Sequence, residues 1–208
     1  MMSKKRMPWD RPPGSSTPNR QGDYAAEPIY TALGRALSAW EGVNAAANSL
    51  FHALHSHMVP AERDAATKAF DGHQKTHDRA QILRNAGTEF VAANFGQMRD
   101  EAAKFKKRHK ELIGQYVEWV ARRNDLAHGY VTEAQSPDYS REDQPIVTVD
   151  ALLPSHSRAD RWYHEEPEWN YLASEIEEIA RRFRFLDEEL EKLACKVESL
   201  LPHRKGSQ

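Results

Sequence analysis

Apolar residues recur along most of this chain in steps of three and four, the spacing that lines one face of an α-helix. The first run predicts a helix from Glu27 to about His57, with Tyr30, Leu33, Leu37, Trp40, Val43, Ala47, Leu50, Leu54 and Met58 on one stripe. A second, polar stripe runs beside it: Glu41, Asn44, Asn48, His52 and His55. A solvent-facing strip is the plainer reading of it, with a cleft lining or an oligomer interface as the alternatives. Pro60 before Ala61-Glu62-Arg63-Asp64 is a first-turn signal. The helical region it opens reaches about Asn94, is interrupted near Asp71-Gly72, and has Ala66, Phe70, Leu83, Ala86 and Phe90 as core candidates. After a turn at Asn94-Phe95-Gly96, the acids Asp100 and Glu101 suit the start of a third helix through its dipole. Met98, Ala102, Phe105, Leu112, Tyr116, Trp119 and Val120 mark that helix's inner face, with Arg123 on its continuation.

The last run has the most regular spacing. Trp169, Leu172, Ile176, Ile179, Phe183, Leu186, Leu190, Leu193, Val197 and Leu200 make one stripe, and Pro202 ends it. Glu177/Arg181, Glu178/Arg182 and Glu188/Lys192 have the favoured acid-first i to i+4 order on the outer face. Residues 131-166 between the third and last helices are too many for a plain bundle turn. Within this link Tyr130-Val131-Thr132 and Ile146-Val147-Thr148-Val149 are β-branched enough to predict a small hairpin, and Arg161-Trp162-Tyr163-His164 is expected to fold back on the bundle. The expected fold is all-α, an up-and-down four-helix bundle with its long loop between the third and fourth helices.

Composition narrows the class. With 208 residues, 29% charged and 39% hydrophobic, the chain suits one domain of long solvated helices. Residues 1-26, rich in proline and basic side chains, read as a disordered tail, 27-202 as the domain and 203-208 as a polar tail. A formal net charge of -2 gives no global basic field, so any contact with nucleic acid must come from a local patch. The run Lys104-Phe105-Lys106-Lys107-Arg108-His109-Lys110 is such a patch, with Lys104, Lys107 and Arg108 as candidate RNA-binding residues. A solvated face is the plainer reading of it. One cysteine, Cys195, excludes an internal disulfide and a cysteine-based metal site. No apolar stretch is long enough to span a bilayer and none follows Lys4-Lys5-Arg6, so a soluble cytoplasmic protein is expected.

Chemistry gathers at Arg123-Asn124-Asp125-Leu126-Ala127-His128-Gly129-Tyr130. Arg123 is a permanently charged group able to clamp a phosphate, and His128 can exchange a proton near neutral pH. His73 and His77 have metal-ligand spacing but no evident third ligand, so no metal is expected. No Glu is followed by His three residues later, as a di-iron bundle requires. No Gly-x-Ser-x-Gly occurs, and no phosphate-cradling glycine loop is present.

Arg123, Asn124, His128 and Tyr130 resemble the R-x4-H motif, in its R-x4-H-x-Y form, of the HEPN superfamily. These are small all-helical proteins, many of them metal-independent endoribonucleases. The signature covers eight positions, and the helical layout extends a looser likeness over residues 28 to 202. The resemblance implies attack of the ribose 2′-hydroxyl on the adjacent phosphorus, giving 2′,3′-cyclic phosphate and 5′-hydroxyl ends. His128 would act as general base or acid, Arg123 would hold the phosphate, and Asn124 would orient the motif or the phosphate. Tyr130 matches the tyrosine that carries AMP in toxin members paired with a nucleotidyltransferase antitoxin, so a separate cognate protein is an implied partner. A homodimer is implied too, with two motifs facing across a two-fold axis. No cofactor is implied.

Asp125 has no family role; by its chemistry it is able to pair with Arg123, orient His128 or simply be solvated. Two other readings stay open. In one, the chain is a non-catalytic HEPN-like dimerisation or RNA-binding module. Or Arg123 and His128 only complement the helix end, with Gly129 as a left-handed stop.

Overall fold

The computed structural model describes residues 10–11, 23–56, 58–73, 75–96, 98–137, 146–154 and 169–200. Among them are five helices and one two-stranded sheet, in the order α1 (Glu27–Leu54), α2 (Pro60–Gly72), α3 (Thr76–Asn94), α4 (Arg99–His128), β1 (Tyr130–Pro137), β2 (Ile146–Leu153) and α5 (Ala173–Leu200). The chain is thus mostly helical. The second helical region is two helices. His73 and Lys75 adopt extended backbone, with ψ of 110° and 123°, so the helix stops where Asp71-Gly72 predict an interruption. Gly96, with φ of 45°, makes the turn out of α3.

The expected hairpin forms and is longer than expected. β1 and β2 pair antiparallel from Tyr130 opposite Leu153 to Pro137 opposite Ile146. Two further bridges extend it, Asp23 to Asp150 and Leu152 to Tyr171. α5 begins at Ala173, so Trp169 and Leu172 precede the helix expected to hold them. The cause is Tyr171, whose backbone exchanges two bonds with Leu152, at 2.8 and 2.9 Å, and so is extended there. Two side chains then cap the helix. Glu175 reaches back to the Leu172 N–H at 3.0 Å, and Asp23 accepts from the Ala173 N–H at 2.8 Å. Residues 1–9, 12–22, 155–168 and 201–208 lie outside the described residues, and with them most of the expected tails, Arg161-Trp162-Tyr163-His164 and Pro202.

Two compact units emerge, and the division falls inside α1, α4 and α5. One comprises the chain to Trp40 together with Ala121–Arg182. Its core holds Ile29, Ala32, Ala36 and Trp40 from α1, Leu126 from α4, Val149, Ala151, Leu152 and Leu153 from β2, and Ile176 and Ile179 from α5. The buried stripe of early α1 is therefore Ile29, Ala32 and Ala36. Tyr30, expected there, is exposed, and Leu33 and Leu37 are half-buried. Small alanines next to bulky residues hide the true face from a count of large apolar side chains.

The other unit is Glu41–Val120 together with the chain from Phe183. Its core is aromatic: Phe51 stacks on Phe70 at 4.3 Å, Phe90, Phe95 and Phe105 cluster, and Trp119 meets Phe183 edge-on at 5.7 Å. Met98, expected inside, is exposed. Three members of the polar stripe on α1 are engaged rather than solvated. Asn44 accepts from the Tyr116 hydroxyl at 3.1 Å, Asn48 accepts from Arg79, and buried His55 lies within 2.9 Å of the Phe51 carbonyl. On α5 the acid-first pattern holds for Glu178 and Arg182, whereas Glu177 binds Arg35 and Lys192 binds Glu189.

Candidate functional site

The last turns of α4 carry the motif, and burial divides it in two. Arg122, Asp125 and Leu126 are buried, whereas Asn124, Ala127 and His128 are exposed and Arg123 is half-buried. Residues 123, 124, 127 and 128 share one face of a helix by their spacing, and 122, 125, 126 and 129 share the opposite one. The guanidinium that points inward is therefore that of Arg122, and the expectation for Arg123 is corrected by one residue. Arg123 instead donates from Nη1 to Asn124 Oδ1 at 3.3 Å on the surface. Three residues past Val120 is still within the reach of an inner face, but Val120 itself is only half-buried, so the face has already turned.

Asp125 is a hub, not a solvated helix-end acid. Arg11 grips its carboxylate from Nε at 3.1 Å and Nη2 at 2.9 Å, Arg122 Nη2 lies 3.2 Å from Oδ2, and the Tyr171 hydroxyl donates to Oδ2 at 2.9 Å. Bidentate contact and a neutral donor are what a buried carboxylate needs. Burial, followed by the charge of Asp125, pushes the Tyr171 phenol well above its ordinary range. The Arg11 guanidinium also lies 5.6 Å from the centre of the Trp169 ring. Arg11 and Asp23 stand in the segment read as a tail, and both contact the folded chain.

Gly129 follows the helix directly, its N–H donating to the Asp125 carbonyl at 2.8 Å. Among the described residues Gly96 is the glycine with positive φ, so Gly129 is not a left-handed stop. Its need for glycine is steric: a Cβ there would lie 2.9 Å from the Asp125 carbonyl oxygen and 2.9 Å from the Leu152 side chain. Tyr130, half-buried, opens β1 opposite Leu153.

The basic run on α4 separates in the same way. Lys104, Lys106, Lys107 and Lys110 are exposed and their ammonium groups have no hydrogen bond or ion pair among the described residues, whereas Phe105 and His109 are buried. Arg108 is committed to Glu189, with Glu111 at 3.5 Å. The Glu189 carboxyl is held below its usual range by a hydrogen bond from Lys192 and, after it, one from Arg108. His73 and His77 are exposed, and among the described residues no group of three or more His, Cys, Asp or Glu side chains could hold a metal ion.

Arg123, Asn124 and His128 share the outer face of α4, whereas the inner face, where the apolar spacing places Arg123, belongs to Arg122, Asp125 and Leu126. Arg122 had a local signal, its i to i+3 spacing to Asp125. Arg11 and Tyr171 had none, being 114 and 46 positions away. Compared with protein-family models, with curated proteins and with solved structures, the chain finds no match in any of the three.

Proposed function

We propose that this chain is a HEPN-like, metal-independent endoribonuclease. One observation carries the reading: Asn124 and His128 are exposed and Arg123 half-exposed on one face of the last α4 turns, while Arg122, Asp125 and Leu126 beside them serve packing. In the proposed reaction the ribose 2′-oxygen bonds to the adjacent phosphorus and the bond from phosphorus to the 5′-oxygen breaks. His128 takes the 2′-hydroxyl proton or returns one to the leaving oxygen. Arg123 clamps the phosphate and offsets the charge that builds on it, and Asn124 orients the two. One histidine cannot be base and acid in the same step, so a homodimer with two facing motifs belongs to the proposal. Lys104 and Lys107 offer charge to an RNA backbone, whereas Arg108 is already engaged by Glu189.

In the same reading α1, the interrupted pair α2 and α3, α4 and α5 make up an up-and-down four-helix bundle in a cytoplasmic protein. No described helix is long and apolar enough to cross a membrane. A toxin or defence setting fits, with Tyr130 as the residue a separate antitoxin would modify. The second reading is a non-catalytic dimerisation or RNA-binding module, favoured by the exposed lysines, which have no partner among the described residues.

Cleavage of a mixed pool of tRNA and mRNA in EDTA tests the proposal, with wild type beside His128→Ala and Arg123→Ala. Cyclic phosphate ends made by the wild type alone are the expected result. Intact RNA with folded, dimeric wild type moves the conclusion to the module.

A further inference from the structure

We infer that Arg11 is a positioning residue for the candidate site, a latch that fastens the end of α4 through Asp125, with Arg122 as the partner that replaces it. The effect on activity rests on the ribonuclease reading; the latch itself does not. Asp125 lies between Arg123 and His128 in the chain, so what holds its carboxylate also holds the turn that presents both. Arg11 does so with two bonds, Nε to Oδ2 at 3.1 Å and Nη2 to Oδ1 at 2.9 Å, while facing the Trp169 ring.

Arg122 is closer to Asp125 in the chain and yet has the less satisfied guanidinium. It offers Asp125 only Nη2, at 3.2 Å, and its Nε and Nη1 are buried without a hydrogen-bond partner. Idle buried donors beside a shared carboxylate are costly, and they gain if a lone pair of Asp125 comes free. Exposure says which arginine can leave. The Arg11 side chain is 35% exposed, against 9% for Arg122, so water can solvate Arg11 as it withdraws.

Two arrangements of one carboxylate follow. With Arg11 in place, the end of α4 is tied to a residue 114 positions away. With Arg11 withdrawn, Asp125 pairs within its own helix, to Arg122 at i and i+3, and the last turn loses that long-range tie. An element with two discrete pairings is what couples a distant segment to a site.

The test uses the full chain as wild type, Arg11→Ala, Arg11→Lys, Asp125→Asn and the Arg11→Ala/Asp125→Asn double variant, each matched to wild type by circular dichroism. Hydrogen exchange of the backbone amides of residues 124–130 is measured, with RNA cleavage beside it. Arg11→Ala is expected to speed that exchange by about tenfold or more, Arg11→Lys to restore part of the protection, and Arg11→Ala to add nothing once Asp125 is Asn. Wild-type exchange in Arg11→Ala, or an equal acceleration with and without the Asp125 carboxylate, overturns the latch. For cleavage, kcat is expected to fall roughly tenfold in Arg11→Ala with KM unchanged. An unchanged kcat despite a loosened turn overturns the positioning role. If the wild type cuts no RNA while exchange follows the expected pattern, the latch stands and the ribonuclease reading is what fails.

Discussion

The Tyr171 hydroxyl donates a 2.9 Å hydrogen bond to the carboxylate of Asp125, joining the residue that bridges to β2 to the turn that bears Arg123 and His128. Tyr171→Phe removes the donor and little else. A hydrogen bond to a charged group contributes about 1.5–3 kcal/mol, and a loss of that size is expected in urea unfolding. The raised Tyr171 pKa has its own sign. The folded state holds the phenolic proton more tightly, so this stabilisation is complete below the ordinary value of 10.0 and is lost as pH rises above it. Ultraviolet titration of the folded chain should show Tyr171 ionising above the ordinary tyrosine value of 10.0.

The two faces of the motif should separate stability from chemistry. His128→Ala and Arg123→Ala alter residues outside the core and are expected to change stability by no more than about 0.5 kcal/mol. Asp125→Ala leaves the buried Arg122 without its carboxylate and is expected to cost about 3–5 kcal/mol. Chemical denaturation of the three variants beside wild type checks this. Equal losses in all three would show that Arg123 and His128 have a structural task.

His109 makes the chain sensitive to acid. Burial pushes its pKa down from 6.5 to about 4, opposed by a hydrogen bond with the Leu83 backbone and aided by the charge of Arg84. The unfolded chain therefore binds the proton first. Stability is full above pH 6.5 and falls as pH drops toward 4, by at most about 3 kcal/mol for this group. Urea midpoints between pH 7 and 4 are expected to fall less steeply in His109→Leu than in wild type.

Gly129→Ala tests the close approach at the end of α4. The new methyl would meet the Asp125 carbonyl and the Leu152 side chain, each at 2.9 Å. Overpacking of this kind costs about 1–3 kcal/mol. The thermal midpoint is expected to fall accordingly, whereas Gly96→Ala is expected to cost less than a clash, through its φ of 45° alone.

What the sequence determined by itself was periodicity and punctuation. Steps of three and four in Phe183, Leu186, Leu190, Leu193 and Val197 are enough for a helix, because any other register exposes them, and all five are buried. Asp71-Gly72 and the β-branched Ile146-Val147-Thr148-Val149 are local signals that need no partner, and the helix break and hairpin follow them. The same spacing of three and four put Arg123 on the inner face of α4, where Arg122 stands instead. The tertiary structure decided which face turns inward. That choice depends on the width of the neighbours: alanines at 32 and 36 are buried while Tyr30 is exposed, and Arg122 rather than Arg123 meets Asp125. Long-range partners were equally out of reach. Arg11 on Asp125, Asp23 on the first turn of α5 and Tyr171 against Leu152 join groups far apart in sequence, and only chain folding brings a guanidinium, a carboxylate and a phenol to hydrogen-bond distance. Local spacing encodes an element, whereas the identity of a buried polar group's partner is a property of the packed whole.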